Sequence, residues 1–224
     1  MSATTNFAPR LETSFMANQT PIVFIVDDDV SVRESVEALV EELGWQPKTF
    51  DSAQAFLAHP PPTAPNCLVL DVSLPDLNGL EVQRSIAGER GDMPIIFITG
   101  HGDIPMSVLA MKAGAIEFLT KPFANEVLLT AIRGALERSQ ITLNEQSSMR
   151  ALKDRYDSLS RREREVMSLV VRGLLNKQVA GTLGISEITV KAHRGQVMRK
   201  MRARSLPELV SLAARLGLET AGNS

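Results

Sequence analysis

Four aspartates and one lysine stand where a phosphoryl group could be received. Asp27-Asp28-Asp29 follows the run Ile22-Val23-Phe24-Ile25-Val26, Asp71 closes Cys67-Leu68-Val69-Leu70, and Lys121-Pro122 follows Ala115-Ile116-Glu117-Phe118-Leu119. A carboxylate accepts a phosphoryl group only if its repulsion from the incoming anion is cancelled, and a divalent cation does this best. Mg²⁺ (or Mn²⁺) is held by one or two carboxylates and takes phosphate oxygens and water for the rest of its shell. Asp28 and Asp71 are the expected direct ligands, Asp27 acts directly or through water, and the backbone carbonyl of Ser73 completes the protein side. Lys121 then offers a compact cation to the phosphoryl oxygens and Thr99 a hydroxyl donor. Positioning and charge neutralisation are most of what phosphoryl transfer asks of a protein.

These residues need a scaffold that gathers strand ends. The runs that precede them are short, apolar and rich in β-branched residues, as in parallel strands covered on both faces. Strands are expected at 22–26, 47–50, 67–71, 94–99 and 115–119, with helical patterns near 31–43, 52–58, 79–88, 105–113 and from 124 onward. Five alternations imply right-handed crossovers and one doubly wound α/β sheet, whose crevice at the carboxyl ends of the strands is where such folds hold ligands. Leu74-Pro75-Asp76 and Asn78-Gly79 break the chain after Asp71, Asp51 with Gln54 has the spacing of a capping box, and Gly100 and Gly102 loosen the loop after the fourth strand. Lys121-Pro122 is a candidate cis bond in a tight turn.

The formal charge of −2 conceals an asymmetry. Residues 21–140 carry 17 Asp/Glu against 8 Lys/Arg, whereas residues 141–224 carry 8 against 15. Two domains with different partners are implied, the basic one suited to nucleic acid. The single cysteine, Cys67, leaves neither a disulfide framework nor a thiolate metal cage, which fits a reducing cytoplasm. No apolar stretch approaches the roughly 20 residues that span a bilayer, so no membrane partner is expected. Residues 1–20 read as a flexible tail without the apolar core of a signal peptide.

Residues 124–157 contain no proline, and Leu128, Ile132, Ala135 and Leu136, then Met149, Leu152, Tyr156 and Leu159, recur at spacings of three and four. A long helix or a broken helical linker follows, with 140–148 polar enough to fray and 141–157 joining the domains. From Ser160 the grammar changes to four short helices. Ser160 with Glu163, and Ser205 with Glu208, fit S-x-x-E capping boxes, and Pro207 falls in the first turn of the last helix. In Leu183-Gly184-Ile185-Ser186, Gly184 suits a positive φ and Ser186 an N-cap, the turn of a helix-turn-helix module. The helix that follows places Val190, Val197 and Met201 on one face and Lys191, Gly195 and Arg199 on the other, an apolar back and a basic front for the DNA major groove.

Val26-Asp27-Asp28, Leu70-Asp71, Thr99-Gly100 and Lys121-Pro122-Phe123 resemble the receiver domain of bacterial response regulators over residues 21–140. Ile98-Thr99-Gly100-His101-Gly102-Asp103-Ile104-Pro105-Met106 and Met111-Lys112-Ala113-Gly114-Ala115 resemble the FixJ type in particular. The resemblance implies a sheet of order 2-1-3-4-5, Asp71 as phospho-acceptor of a sensor histidine kinase, and Thr99 with Phe118 as switch residues. It implies no enzyme beyond transient self-phosphorylation and dephosphorylation. Ser73, where many of these relatives carry arginine, removes a charge near the phosphoryl group. Ser160-Arg161-Arg162-Glu163-Arg164-Glu165-Val166, Gly173-Leu174-Leu175-Asn176-Lys177-Gln178-Val179-Ala180 and Thr189-Val190-Lys191-Ala192-His193 resemble the LuxR/NarL-type effector domain over residues 158–220. That resemblance turns Lys191, Ala192 and Gly195 toward bases of promoter DNA and makes Lys177, Arg194, Arg199 and Lys200 phosphate contacts. Because Gly195 lacks a side chain, Gln196, Lys191 or the Ala192 methyl take over part of the reading. Homodimerisation on phosphorylation, through the receivers or through Leu209, Val210 and Ala213 of the last helix, and contact with RNA polymerase follow as expectations.

Bland readings stand beside these. A lone acid at a strand end is usually a capped turn, Phe118 is equally well a core residue, and a charge run is usually a solvated face. His59 and His101 lack metal-ligand spacing and read as solvent or loop residues, and His193 reads as a packed or phosphate-facing side chain rather than a metal ligand. A haloacid-dehalogenase-type phosphohydrolase also uses an aspartate with Mg²⁺, but it places a second aspartate two residues on, where this chain has Ser73. A third reading makes the basic half a protein-binding module.

Overall fold

In β1 (Ile22–Val26) every residue is buried, and alternation sends Phe24 and Val26 into one core, Val23 and Ile25 into another. That strand lies at the heart of a computed structural model that describes residues 19–90, 92–100 and 104–219. The expectations placed on residues 1–18 and on His101, Gly102 and Asp103 lie outside those. By its contacts the chain divides into two units at Leu143/Asn144.

In the first unit, α1 (Val30–Glu42), β2 (Gln46–Phe50), α2 (Ala53–Ala58), β3 (Asn66–Asp71), α3 (Gly79–Glu89), β4 (Ile95–Thr99), α4 (Ile104–Lys112) and β5 (Glu117–Thr120) follow β1 in strict alternation. The strands form one parallel sheet in the order β2-β1-β3-β4-β5. One face packs on α2, α3 and α4 through Phe24, Leu68, Phe56, Val82, Ile86 and Ala110. The other packs on α1 and α5 (Asn125–Asp157) through Ile25, Val69, Val36, Val40, Leu128 and Ile132. Cys67 is sealed in this second layer, and burial drives its thiol far above the ordinary cysteine pKa. β2 is an edge strand, where Pro47 removes no ladder bond that the sheet interior needs.

Three local expectations change. The fifth strand begins at Glu117 rather than 115, because Gly114 (φ +96°) turns the chain and the Ala115 amide closes α4 on the Ala110 carbonyl. Asp51 does not cap α2. Its carboxylate accepts from the Ser52 hydroxyl, while the first amides of α2, on Ala53 and Gln54, donate to Asp76 at 3.3 and 2.9 Å. Residues 140–148 do not fray, and α5 continues through them to Asp157. Met149, Leu152 and Tyr156 belong to a core of the second unit, so 149–157 is no bare linker.

The second unit holds α6 (Arg161–Val171), α7 (Asn176–Leu183), α8 (Glu187–Met201) and α9 (Leu206–Arg215) with the end of α5. Ser160 and Glu163 form the expected capping box. At α9 the box is split: Ser205 accepts from the Glu208 amide, but the Glu208 carboxylate accepts from the Arg204 amide, one residue upstream of the cap. Gly184 adopts φ +66° between α7 and α8, where a side chain is strained, and Ser186 caps α8 by accepting from the Thr189 amide at 3.1 Å. Leu209 and Ala213 are fully buried in this core, so of the three residues expected at a dimer surface of α9 only Val210, which is half-buried, keeps part of its side chain outward.

Candidate phosphoryl-acceptor pocket and nucleic-acid interface

Parallel pairing puts the ends of β1, β3 and β4 side by side, which carries Asp27, Asp71 and Thr99 to one rim of the sheet. Asp27 is fully buried, Asp71 is buried and Asp28 is exposed. One carboxylate oxygen from each of the three lies within 4.8 Å of the others. Asp29, the last of the acidic run, serves a different purpose: it caps α1, accepting from the Ser31 amide at 2.8 Å. Lys121, delivered by the turn after β5, donates from Nζ to Asp27 at 2.6 Å and to Asp71 at 2.9 Å. The Lys121-Pro122 bond is cis, as expected.

The charge balance of the pocket invites a cation. Burial raises the Asp27 carboxyl pKa above its ordinary value, although the Lys121 ammonium and the Asp29 amide pull it down. Burial works against the Lys121 ammonium too, but its two hydrogen bonds to Asp27 and Asp71 outweigh this and hold it above its ordinary value. One ammonium among three carboxylates leaves an excess of negative charge, and the donor set is all oxygen. That is the chemistry of a hard divalent ion. The residues therefore fit Mg²⁺ or Mn²⁺, with exposed Asp28 the most open of the three and both Asp27 and Asp71 already engaged by Lys121.

The frame around Asp71 is tight. Its Oδ1 accepts from the Ser73 amide at 3.0 Å, and exposed Ser73 bridges to Asn78, closing the loop that leads into α3. Gly79 opens α3 so close to the strand end that a Cβ there would meet the Asp71 carbonyl at 2.9 Å and the Phe97 ring at 3.0 Å. Thr99 is fully buried, and its carbonyl accepts from the Lys121 amide at 2.8 Å, which joins β4 to the lysine turn. Phe118 is half-buried and meets Phe97 with ring centroids 6.3 Å apart, so it belongs to the α4 side of the core and keeps an edge toward solvent. Sequence reasoning missed Arg33, whose guanidinium donates to the Asp27 carbonyl at 2.6 Å. Only the tertiary turn of α1 back onto β1 reveals it.

In the second unit, the faces of α8 fall as their spacing predicts. Val190, Val197 and Met201 are buried, and Lys191, Ala192, Gly195, Gln196 and Arg199 are exposed. Lys177 is exposed at the start of α7. Arg194 is partly buried and donates to the Asn176 side chain at 3.1 Å, so α7 steers its guanidinium. Gln196 accepts from Arg199 on the same helix. Lys200 is placed differently from its expected role as a phosphate contact. Its ammonium donates to Glu163 at 2.6 Å and to the Ser158 carbonyl at 3.1 Å, tying α8 to the capped start of α6. The sequence shows the charge of Lys200 but not its acid, which lies 37 positions earlier.

Comparisons with known proteins agree with this geometry. Residues 23–133 match the response regulator receiver domain, and residues 157–213 match the bacterial regulatory proteins of the luxR family. The chain is 49% identical to Nodulation protein W of Bradyrhizobium diazoefficiens over 90% of its own length and 89% of that protein's. It is 44% identical to the transcriptional regulatory protein FixJ of Rhizobium meliloti, covering 85% of this chain and 94% of that one. Among solved structures, the response regulator StyR superposes with a TM-score of 0.81 at 47% identity, covering 88% of this chain and all of that one. Full-length FixJ from B. japonicum gives a TM-score of 0.53 at 39% identity, covering 89% and 98%. With its acidic pocket at the sheet rim and its capped helix-turn-helix, the chain belongs to the two-component response regulators that join a receiver domain to a LuxR-type DNA-binding domain, and it is a transcription regulator of that family.

Proposed function

We propose that Asp71 accepts a phosphoryl group from a sensor histidine kinase and that the modification controls promoter binding by the second unit. The observation that carries this reading is Lys121 bridging Asp27 and Asp71 at the rim of the sheet. In the reaction, an Asp71 carboxylate oxygen forms a bond to phosphorus as the bond to the donor imidazole nitrogen breaks. Asp28 and Asp71, with Asp27 and the Ser73 carbonyl, would hold Mg²⁺, which would supply charge neutralisation where the two anionic groups meet. Lys121 then pairs with a phosphoryl oxygen and Thr99 donates its hydroxyl to another. The protein is not an enzyme on other substrates: it catalyses only its own transient phosphorylation and dephosphorylation.

A group of about −1.5 to −2 charge appears where Lys121 and Thr99 converge. Movement of Thr99 and of half-exposed Phe118 changes the surface around α4 and β5, and two such surfaces pair. A homodimer then presents two copies of α8 to the half-sites of a symmetric operator, with Lys177, Lys191, Arg194 and Arg199 on the DNA, and it recruits RNA polymerase. The working compartment is the cytoplasm; among the described residues no helix is long and apolar enough to cross a membrane.

The test is selection of bound DNA by wild-type and Asp71→Asn protein, each with and without a small phosphodonor and Mg²⁺. The expected result is a donor-dependent gain in binding for wild type alone, with a phosphoryl adduct in its intact mass. A gain shared by Asp71→Asn, or no adduct on the wild-type protein, would overturn the proposal.

A further inference from the structure

Ile188 is 80% exposed, more than the other exposed large hydrophobic side chains of the described residues, and it sits in the first turn of α8. At 3.6 residues per turn, Ile188, Ala192, Gly195 and Arg199 fall within an arc of about 60° on the helix, and Lys191 borders it. Ala192, Gly195, Arg199 and Lys191 are likewise exposed, and the buried Val190, Val197 and Met201 lie on the far side. Gly195 has nothing within 4 Å of where a Cβ would stand, so packing within the chain does not call for a glycine there. Its effect is to lower the outer surface of the helix midway along the arc.

The face thus begins with a branched aliphatic group, continues through a methyl and a recess, and ends on a cation. A partner that covers this isoleucine must tolerate the surrounding positive charge. Lys177, Lys191, Arg194 and Arg199 select a polyanion, and Glu187, the sole acid of α8, stays in the first turn, where it offsets the helix dipole. In the major groove of a duplex the one apolar group on base edges is the thymine C5-methyl, and helices of this kind present their N-terminal residues to those edges.

We propose that Ile188 is a specificity-determining residue that reads a thymine by packing its side chain against the C5-methyl group, while the recess at Gly195 lets the helix approach the base pairs. The proposal rests on the second unit binding duplex DNA, as the family implies.

The experiment uses the full chain and a duplex selected by the wild-type protein, with each thymine of the half-site replaced in turn by uracil, which lacks only the methyl. Wild type should lose about fourfold in affinity at one thymine of each half-site, the worth of one buried methyl group. Ile188→Val should keep that discrimination, and Ile188→Ser should bind the thymine and uracil duplexes equally. Ile188 is so exposed that neither variant disturbs the fold. Binding by wild type without a uracil effect, or a uracil effect that persists in Ile188→Ser, overturns the role of Ile188 and leaves it to a protein partner or to Ala192. Failure to retain any duplex strikes the DNA-binding reading itself and the proposal with it.

Discussion

The Lys121 ammonium stands 2.9 Å from the Asp71 carboxylate, and the same nitrogen reaches Asp27 at 2.6 Å. The turn after an edge strand thus fastens the ends of two central strands and places a cation beside the proposed phospho-acceptor. Lys121→Met keeps much of the side-chain volume and removes only the charge. The initial rate of adduct formation on Asp71 with a small phosphodonor, followed by intact mass, should fall about 100-fold, the usual order of loss when one preorganised donor is withdrawn from a transition state.

Gly79 supplies a second test. A methyl group there would press on the Asp71 carbonyl, the Phe97 ring and the Val72 Cα, all 3.0 Å away or less. Two of these three atoms belong to the backbone and cannot rotate aside. Gly79→Ala should therefore destabilise the first unit by about 1–3 kcal/mol, the range of overpacked cores. Urea unfolding followed through Trp45, the chain's one tryptophan, which packs behind the sheet in that unit, would show it.

Asp76 caps a helix that begins more than twenty residues before it. Asp76→Ala strips the first amides of α2 of their acceptor and should cost about 1 kcal/mol, whereas Asp51→Ala should be nearly neutral. Faster hydrogen exchange at Ala53 and Gln54 in the first variant only would confirm which residue is the cap.

The sequence carried the fold where chemistry was local. β1, β3 and β4 lie inside the sheet, so their unbroken apolar runs announce them, and the strand ends deliver Asp27, Asp71 and Thr99 without further information. Edges and long-range partners were harder. Ala115 and Ile116 look like strand, but Gly114 turns the chain and makes Ala115 the exit of α4, while the Ile116 amide already donates to the Ile95 carbonyl of β4 just before the strand proper begins. Asp51 has the spacing of a cap, yet Asp76 wins the amides because the loop after β3 folds over the start of α2. Leu209 and Ala213 read equally well as interface or core, and only the packing of α9 decides for core. Lys200 shows the same limit: its partner Glu163 is invisible to any local pattern.

The salt dependence of DNA binding should separate those lysines and arginines. Arg199→Ala removes an exposed cation proposed to contact phosphate and should reduce the slope of log affinity against log salt by about 1. Lys200→Ala should leave that slope unchanged and instead lower the thermal stability of the second unit, since it frees a buried carboxylate. Fluorescence anisotropy of a labelled duplex at several salt concentrations checks the first, and calorimetry the second.

Glu163 gives that unit an acid limit. The Lys200 ammonium, then the amide and hydroxyl of Ser160, hold its carboxyl below the ordinary glutamate value despite burial. A carboxyl whose pKa is depressed by folding stabilises the fold fully above its unfolded pKa of about 4.3 and gives up that contribution as pH falls through the lower, folded value. Protection of the α6 amides from exchange should fall over that acidic window in wild type. In Glu163→Gln it should start lower at neutral pH and vary less across the same range.

Cys67, the chain's one sulfhydryl, is walled in by the sheet and the helices α1 and α5. Maleimides and spin-label reagents applied to the native protein therefore find almost no thiolate to attack. A cysteine installed at an exposed position such as Ser211 becomes the single reactive handle, and the wild-type chain already serves as the labelling background for distance and fluorescence measurements on the DNA complex.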